Sequence, residues 1–129
     1  MNAYTVKYRV NYSFGEDGRH EVSTTVIAGS EAEAITTFKE AFKEDNTAKF
    51  KSITEGIHTY GSDWTIRTEN GSYCVTRLDT PSGETYDIMA VLTDDKDMTL
   101  INYMFGVTLN SDNTNMEEAI KMVRAYERG

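Results

Sequence analysis

The chain has 129 residues, 39% hydrophobic and 11% aromatic, with a formal net charge of −8. That length suits a single domain, and a chain this rich in apolar side chains can offset the entropy that keeps disordered sequences unfolded. The acidic balance argues against direct nucleic-acid partners and anionic membranes, whose affinity rests on Lys and Arg. No run in the sequence approaches the roughly 18 apolar residues of a membrane-spanning helix.

Tyr4, Val6, Tyr8, Val10, Tyr12 and Phe14 alternate with Thr5, Lys7, Arg9, Asn11 and Ser13, the period-two pattern of a half-buried strand. Tyr4, Tyr8 and Tyr12 on one face resemble a base-stacking platform, but sharing that face with Val6 and Val10 makes core packing the more economical account. Gly15-Glu16-Asp17-Gly18 predicts a hairpin turn into a second strand from Arg19 to Ala28, with Val22, Thr24, Val26 and Ala28 inward. Ser30 and Glu33 have the spacing of a capping box. They open a helix whose stripe is Ala34, Ile35, Phe38, Ala41 and Phe42 and which fades around residues 44–46. Phe50, Ile53 and Ile57 suggest a third strand with imperfect alternation, and Gly56 marks a bulge or its end. Residues 60–63 form a junction between an N-terminal half, about 1–60, and a C-terminal half, about 63–129, within one domain spanning 1–129.

The second half reads as a meander. Trp64 to Glu69 alternates, and Asn70-Gly71 is a strong hairpin signal favouring a type I′ turn. Ser72 to Leu78 returns, and Asp79-Thr80-Pro81-Ser82-Gly83 predicts the next turn. Thr85 to Leu92 is a further strand, followed by the acidic turn Asp94-Asp95-Lys96-Asp97. Met98 to Leu109 is apolar on both faces, as a central strand is, with Gly106 at a bulge or a close backbone approach. After a polar loop over 110–113, Thr114 and Glu117 repeat the capping-box spacing. Met116, Ala119, Ile120, Val123 and Tyr126 then give a closing helix its apolar face. The expected fold is α+β, with a mostly antiparallel sheet in the order ββα(β)ββββα and two helices packed on the sheet.

Cys74 is the one cysteine, so no intrachain disulfide forms; this fits a reducing compartment, and a cytoplasmic location is expected. Residues 1–7 alternate like a strand and lack the basic-then-apolar pattern of a signal peptide. His20, His58 and Cys74 are the side chains suited to nucleophilic or acid–base work. Each has a plainer reading: a surface histidine for His20, a junction residue for His58 and a buried inert thiol for Cys74. Two distant histidines and one cysteine lack a zinc spacing. Asp94, Asp95 and Asp97 lack the closing Glu of a calcium loop, and no phosphate-cradling glycine motif occurs. No catalytic residue, metal or cofactor is therefore assigned, and a non-enzymatic binding role is expected.

Residues 1–58 hold 7 basic and 9 acidic groups, whereas residues 59–129 hold 6 and 12. Concentrated acidity at turns of the second half points to Asp79, Glu84, Asp94, Asp95 and Asp97 as the contact set for a basic protein surface. An alternative is a small-ligand site for a nucleotide signal, drawing on Arg67, Arg77, Arg124 and His58. A small enzyme using His58 or Cys74 is a third reading. Strand pairing through residues 4–14 or 98–109 gives the expectation of a homodimer.

Tyr4-Thr5-Val6-Lys7-Tyr8-Arg9-Val10, followed by Val26-Ile27-Ala28-Gly29-Ser30-Glu31-Ala32-Glu33-Ala34-Ile35, resembles small proteins encoded by phages and other mobile elements. Those proteins carry a hairpin, a helix start of the form (A/S)-x-S-x-E-E-A, and a short strand; the likeness spans residues 3–58. It implies a phage or prophage accessory protein acting in the cytoplasm of a bacterial host. That class includes inhibitors of host defence systems such as CRISPR effectors, so the implied partner is a host protein with a basic surface. No site residue carries over from the resemblance.

Overall fold

The computed structural model describes residues 2–11, 19–44, 47–105 and 113–129. In chain order these form β1 (Asn2–Asn11), β2 (Arg19–Ala28), α1 (Glu31–Ala41), β3 (Ala48–Glu55), β4 (Ser62–Thr68), β5 (Gly71–Ser82), β6 (Thr85–Asp94), β7 (Thr99–Phe105) and α2 (Asn113–Arg128). The strands make one seven-stranded sheet in the order β3-β1-β2-β4-β5-β6-β7. Every neighbouring pair is antiparallel except β2 and β4, which run parallel and join the two halves of the chain. The molecule is thus the expected α+β fold with two helices on a mostly antiparallel sheet.

Successive strand residues point to opposite faces of a sheet, and β2 uses both. Val26 and Ala28 join Tyr4, Val6, Tyr8, Ala34 and Phe38 under α1. Ile27, one position over, joins Ile66, Tyr73, Val75, Leu92, Met104 and the Met116–Val123 stripe of α2. The helices therefore cover opposite faces and different halves: α1 lies over β3-β1-β2, and α2 over β4 to β7. The tyrosines Tyr4 and Tyr8 are buried, as core packing requires, and the Tyr8 ring stacks at a tilt against Phe38 and Phe42.

Local chemistry sets the element ends. Ser30 accepts a hydrogen bond from the Glu33 amide, and the Glu33 carboxylate reaches back to the Gly29 amide. The predicted capping box thus forms, closing one residue upstream of the N-cap. A side chain at Gly29 would meet that carboxylate at 2.6 Å and displace it, a shift the flexible Glu33 side chain can make. Gly56, with φ +106, ends β3 rather than bulging it, and Ile57 falls beyond the strand. Residues 56–61 then cross from β3 to β4 over the face of β1 and β2 opposite α1. Thr5 holds this strap by donating to the Gly56 carbonyl and accepting from the His58 amide. Thr59 donates through both its amide and its hydroxyl to Asn113 at the start of α2.

Several expectations are corrected. The loop between β4 and β5 is Glu69-Asn70, one residue earlier than predicted, and neither Asn70 nor Gly71 has positive φ, so the turn is not type I′. Thr68 accepts from the Asn70 amide and stabilises this alternative. β5 runs straight through the predicted turn at 79–83; the reversal occurs at Gly83-Glu84, where Gly83 adopts φ +62. Pro81 is tolerated in β5 because, among the described residues, that stretch pairs only with β6 and leaves its other edge free. Residues 99–105 form an edge strand, not a central one, and β1 is enclosed by β3 and β2, so it offers no edge to a second copy. The predicted hairpin turn at 15–18, with Tyr12 and Phe14, lies outside the described residues, as do Gly106 and the residues preceding α2. Thr114 falls within α2, not at its cap.

Candidate functional site

Because α1 covers the β3-β1-β2 half, no helix among the described residues lies on the same face of β5, β6 and β7. In β5, Tyr73 and Val75 face α2, so Cys74, Thr76 and Leu78 face the open side. Register places Val91 opposite Thr76, Met89 opposite Leu78, Tyr103 opposite Val91, and Leu100 opposite Thr93. The result is a cross-strand apolar surface of Leu78, Met89, Val91, Leu100 and Tyr103. Leu78 is 41% exposed and Tyr103 43%. The sequence did signal it: residues 98–109 are apolar on both faces. In an edge strand that pattern means one face on the core and one left open.

Acidic side chains surround this surface. Asp87, opposite Thr80, shares the open face, and Glu84 sits at the β5–β6 reversal. At the other end the Cys74 thiol donates to Asp95 at 3.3 Å, which places Asp95 on the open side. Asp97 follows in the same turn, beside the exposed Met98 with φ +59. Lys96 is the cation within that turn. Beyond its pairing with β7, the β5–β6 hairpin carries exposed Tyr86 and Ile88 on the α2-side face.

The five acidic residues expected to form one contact set do not form one patch. Asp79 is opposite Ile88 and Asp94 opposite Tyr73, six positions apart along β5, or roughly 20 Å at strand rise. Asp94 lies on the α2 side, where it accepts from the Tyr126 hydroxyl at 3.1 Å and from the Lys96 amide. Asp97 accepts from the amide and hydroxyl of Thr99, contacts that hold its carboxyl below the ordinary range. Asp79 pairs with Arg77 at 3.1 Å. The acids flanking the open face are instead Glu84, Asp87 and Asp95, and Asp87 was not singled out from sequence; Asp97, held by Thr99 opposite Asp94, falls on the α2 side.

The alternative ligand set is also dispersed. Arg77 shares the α2-side face with Val75 and Ala90, Arg124 is exposed on α2, and His58 is exposed on the strap. Arg67 alone borders a groove, of about 490 Å³, between α1 and the β4–β5 turn, together with Thr36, Thr37 and Glu40. Its guanidinium is already engaged: Nε donates to Thr24 at 3.1 Å, Nη1 to Ser72 at 3.2 Å, Nη2 lies 3.7 Å from Asp63, and the Phe42 ring lies 4.5 Å below. Asp63 also accepts from the Tyr8 hydroxyl at 2.9 Å and from the Thr65 amide. Burial nevertheless pushes its carboxyl above the ordinary value.

Cys74 and His58 are kept apart by the sheet, with Cys74 on the open face and the His58 strap across the other. Burial and the Asp95 carboxylate both push the Cys74 thiol up, which disfavours the thiolate a nucleophile needs. Nothing is described of the His20 side chain. Among the described residues no three His, Cys, Asp or Glu side chains come together as a metal site, and no helix is long and apolar enough to cross a membrane. No family model, curated protein or solved structure matches the chain.

Proposed function

We propose that this chain is a non-enzymatic binding protein that docks a basic protein partner on the open face of β5, β6 and β7. The observation that carries the reading is the apolar surface of Leu78, Met89, Val91, Leu100 and Tyr103, flanked by Glu84 and Asp87 at one end and Asp95 at the other. Apolar side chains at the centre of a contact supply the driving force, and a charged rim steers the approach and selects the sign of the partner. A two-fold dimer through this face would set the acid rims of both copies against each other, because the same patch meets itself across the axis. Charge complementarity therefore favours a basic partner over a second copy. The resemblance of residues 3–58 to phage accessory proteins directs the search toward a bacterial host's defence proteins.

The test compares affinity capture from host extract by the wild-type chain, by Leu78→Glu and by Asp87→Lys/Asp95→Lys. A specific partner should bind the wild type, weaken as salt rises, and be lost with Leu78→Glu. The double charge reversal should slow its association and flatten the salt dependence. A partner that binds all three proteins equally, or sedimentation as a dimer that Leu78→Glu dissolves, would overturn the reading.

A further inference from the structure

A second open region lies on β3-β1-β2, on the side away from α1 and beyond the strap, and its chemistry is inverted. Lys7 and Arg9 alternate with core residues on β1 and so point there. Lys49 is opposite Arg9, and Lys51 reaches Glu21, the partner of Arg9 on β2, at 2.7 Å. The fields of Lys51, Arg9 and Lys7 converge on Glu21 and hold its carboxyl below the ordinary range. Three cations thus act on one carboxylate, with Lys49 beside Arg9 on β3, in a chain whose net charge is −8. At physiological salt the Debye length is about 8 Å, so a ligand on this face is governed by these neighbours and not by the distant acids.

A cleft of about 250 Å³ opens beside the cations, lined by Lys7, Glu21, Val22, Ser23, Tyr60 and Gly61. Two features of it have no structural explanation. Ser23 is 3% exposed, and its hydroxyl has no hydrogen-bond partner among the described residues, an arrangement that buried hydroxyls generally avoid. Tyr60, at the bend of the strap, is 92% exposed, so its ring is presented rather than packed. An unpaired hydroxyl, adjacent cations and a free aromatic ring are the three elements that recognise a phosphate attached to a planar base.

We propose that the cleft at Ser23 and Tyr60, with Lys7, Arg9, Lys49 and Lys51, binds a nucleotide phosphate, free or within a single-stranded nucleic acid, its base stacked on Tyr60. Lys7 and Arg9 stand two residues apart on β1, roughly 7 Å at strand rise, and Lys49 continues the charge onto β3. The cations hold the phosphate, and Ser23 donates its free proton to a phosphate oxygen. Glu21 opposes the anion and is neutralised by Lys51, so it sets the affinity from below. This site is on the other face and half of the sheet from the protein-docking surface and stands independently of it. The expectation from net charge, that nucleic acid is excluded, is overridden here by local charge.

The experiment measures fluorescence anisotropy of a labelled short oligothymidylate at low salt, with ATP and inorganic pyrophosphate as competitors. Saturable binding is expected. Tyr60→Ala should weaken it about fivefold or more, the factor a lost base–aromatic stack carries. Lys7→Ala and Arg9→Ala should each reduce the log–log salt slope by about 0.7, one phosphate contact on a single strand. Glu21→Gln should tighten binding. Ser23→Ala should weaken binding while raising the melting temperature, a combination a purely structural serine does not give. Competition by ATP identifies a free nucleotide as sufficient, and binding of the oligonucleotide alone identifies the strand; either supports the site. Competition by pyrophosphate with no dependence on Tyr60 overturns the nucleotide assignment. Absence of binding, or variants indistinguishable from wild type, overturns the site altogether.

Discussion

The two halves of the sheet are built alike and finished differently. Each has one face covered by a helix, and the exposed parts of the other faces, over β5 to β7 and beyond the strap on β3-β1-β2, lie on opposite sides. On β3-β1-β2 the face away from α1 is the polar partner of a strict alternation: Thr5, Lys7 and Arg9 interleave with Tyr4, Val6 and Tyr8, with Thr5 buried under the strap and Lys7 and Arg9 exposed. On β5 to β7 the alternation fails, and Leu78, Met89, Val91, Leu100 and Tyr103 occupy the side that should be wet. A solvated sheet face is normally polar; the first half follows that rule beyond the strap, and the second departs from it. Net charge, one number for the whole chain, conceals that the two open faces carry opposite signs.

The comparison is broken most severely through the core that both halves share. Leu92 is fully buried beneath α2, and Leu92→Ala should cost about 2–5 kcal/mol in urea denaturation. A much smaller loss would mean that α2 does not seal this half. Glu127 comes next. Its carboxylate accepts from the buried Tyr73 and Thr68 hydroxyls, each at 2.6 Å, and lashes the end of α2 to β4 and β5. Glu127→Ala should cost about 1–3 kcal/mol by leaving those hydroxyls unpaired.

Asp63 tests the seam between the halves, because it joins Tyr8 of β1 to Arg67 of β4. Burial raises its pKa above the ordinary 3.8. The folded state therefore keeps this proton to higher pH than the unfolded chain does. The sign follows: above pH 3.8 the unfolded state binds fewer protons, so the Asp63 contribution to stability falls as pH rises through the raised value. Wild-type stability minus that of Asp63→Asn, followed by urea denaturation through the acid range, should decline with rising pH. A difference that climbs instead would show that the Arg67 pairing outweighs burial. The smallest effect belongs to Leu78→Glu, which should alter stability by no more than about 0.5 kcal/mol while removing the docking surface. A loss as large as that of Leu92→Ala would place Leu78 in the core and erase the contrast between the two faces.

Much of the fold was legible from local pattern. The alternation of residues 4–10, the box at Ser30 and Glu33, and the stripe Met116, Ala119, Ile120, Val123 each depend on neighbours within one turn or one strand, and each is found where it was expected. The misreadings came where a distant neighbour decides. Asn70-Gly71 has the composition of a type I′ turn, but the register of β4 against β5 puts Glu69-Asn70 at the loop. Pro81 signals a turn, yet a free edge lets β5 continue through it. The acidic residues were read as a set because they share a charge and a half of the chain, but Asp79 and Asp94 are separated along β5. Tyr60 and Ser23 carried no pattern at all.

The sequence by itself determined the element types, the class of the fold and the inner face of β1, because periodicity and capping are short-range properties of the chain. Tertiary structure alone decided that β2 and β4 pair in parallel, that the helices lie on opposite faces, and that residues 99–105 end as an edge. Those outcomes depend on which strands meet and which faces a helix is long enough to cover. Two eleven- and sixteen-residue helices cannot cover both faces of seven strands, and the uncovered remainder is where both proposed binding surfaces lie.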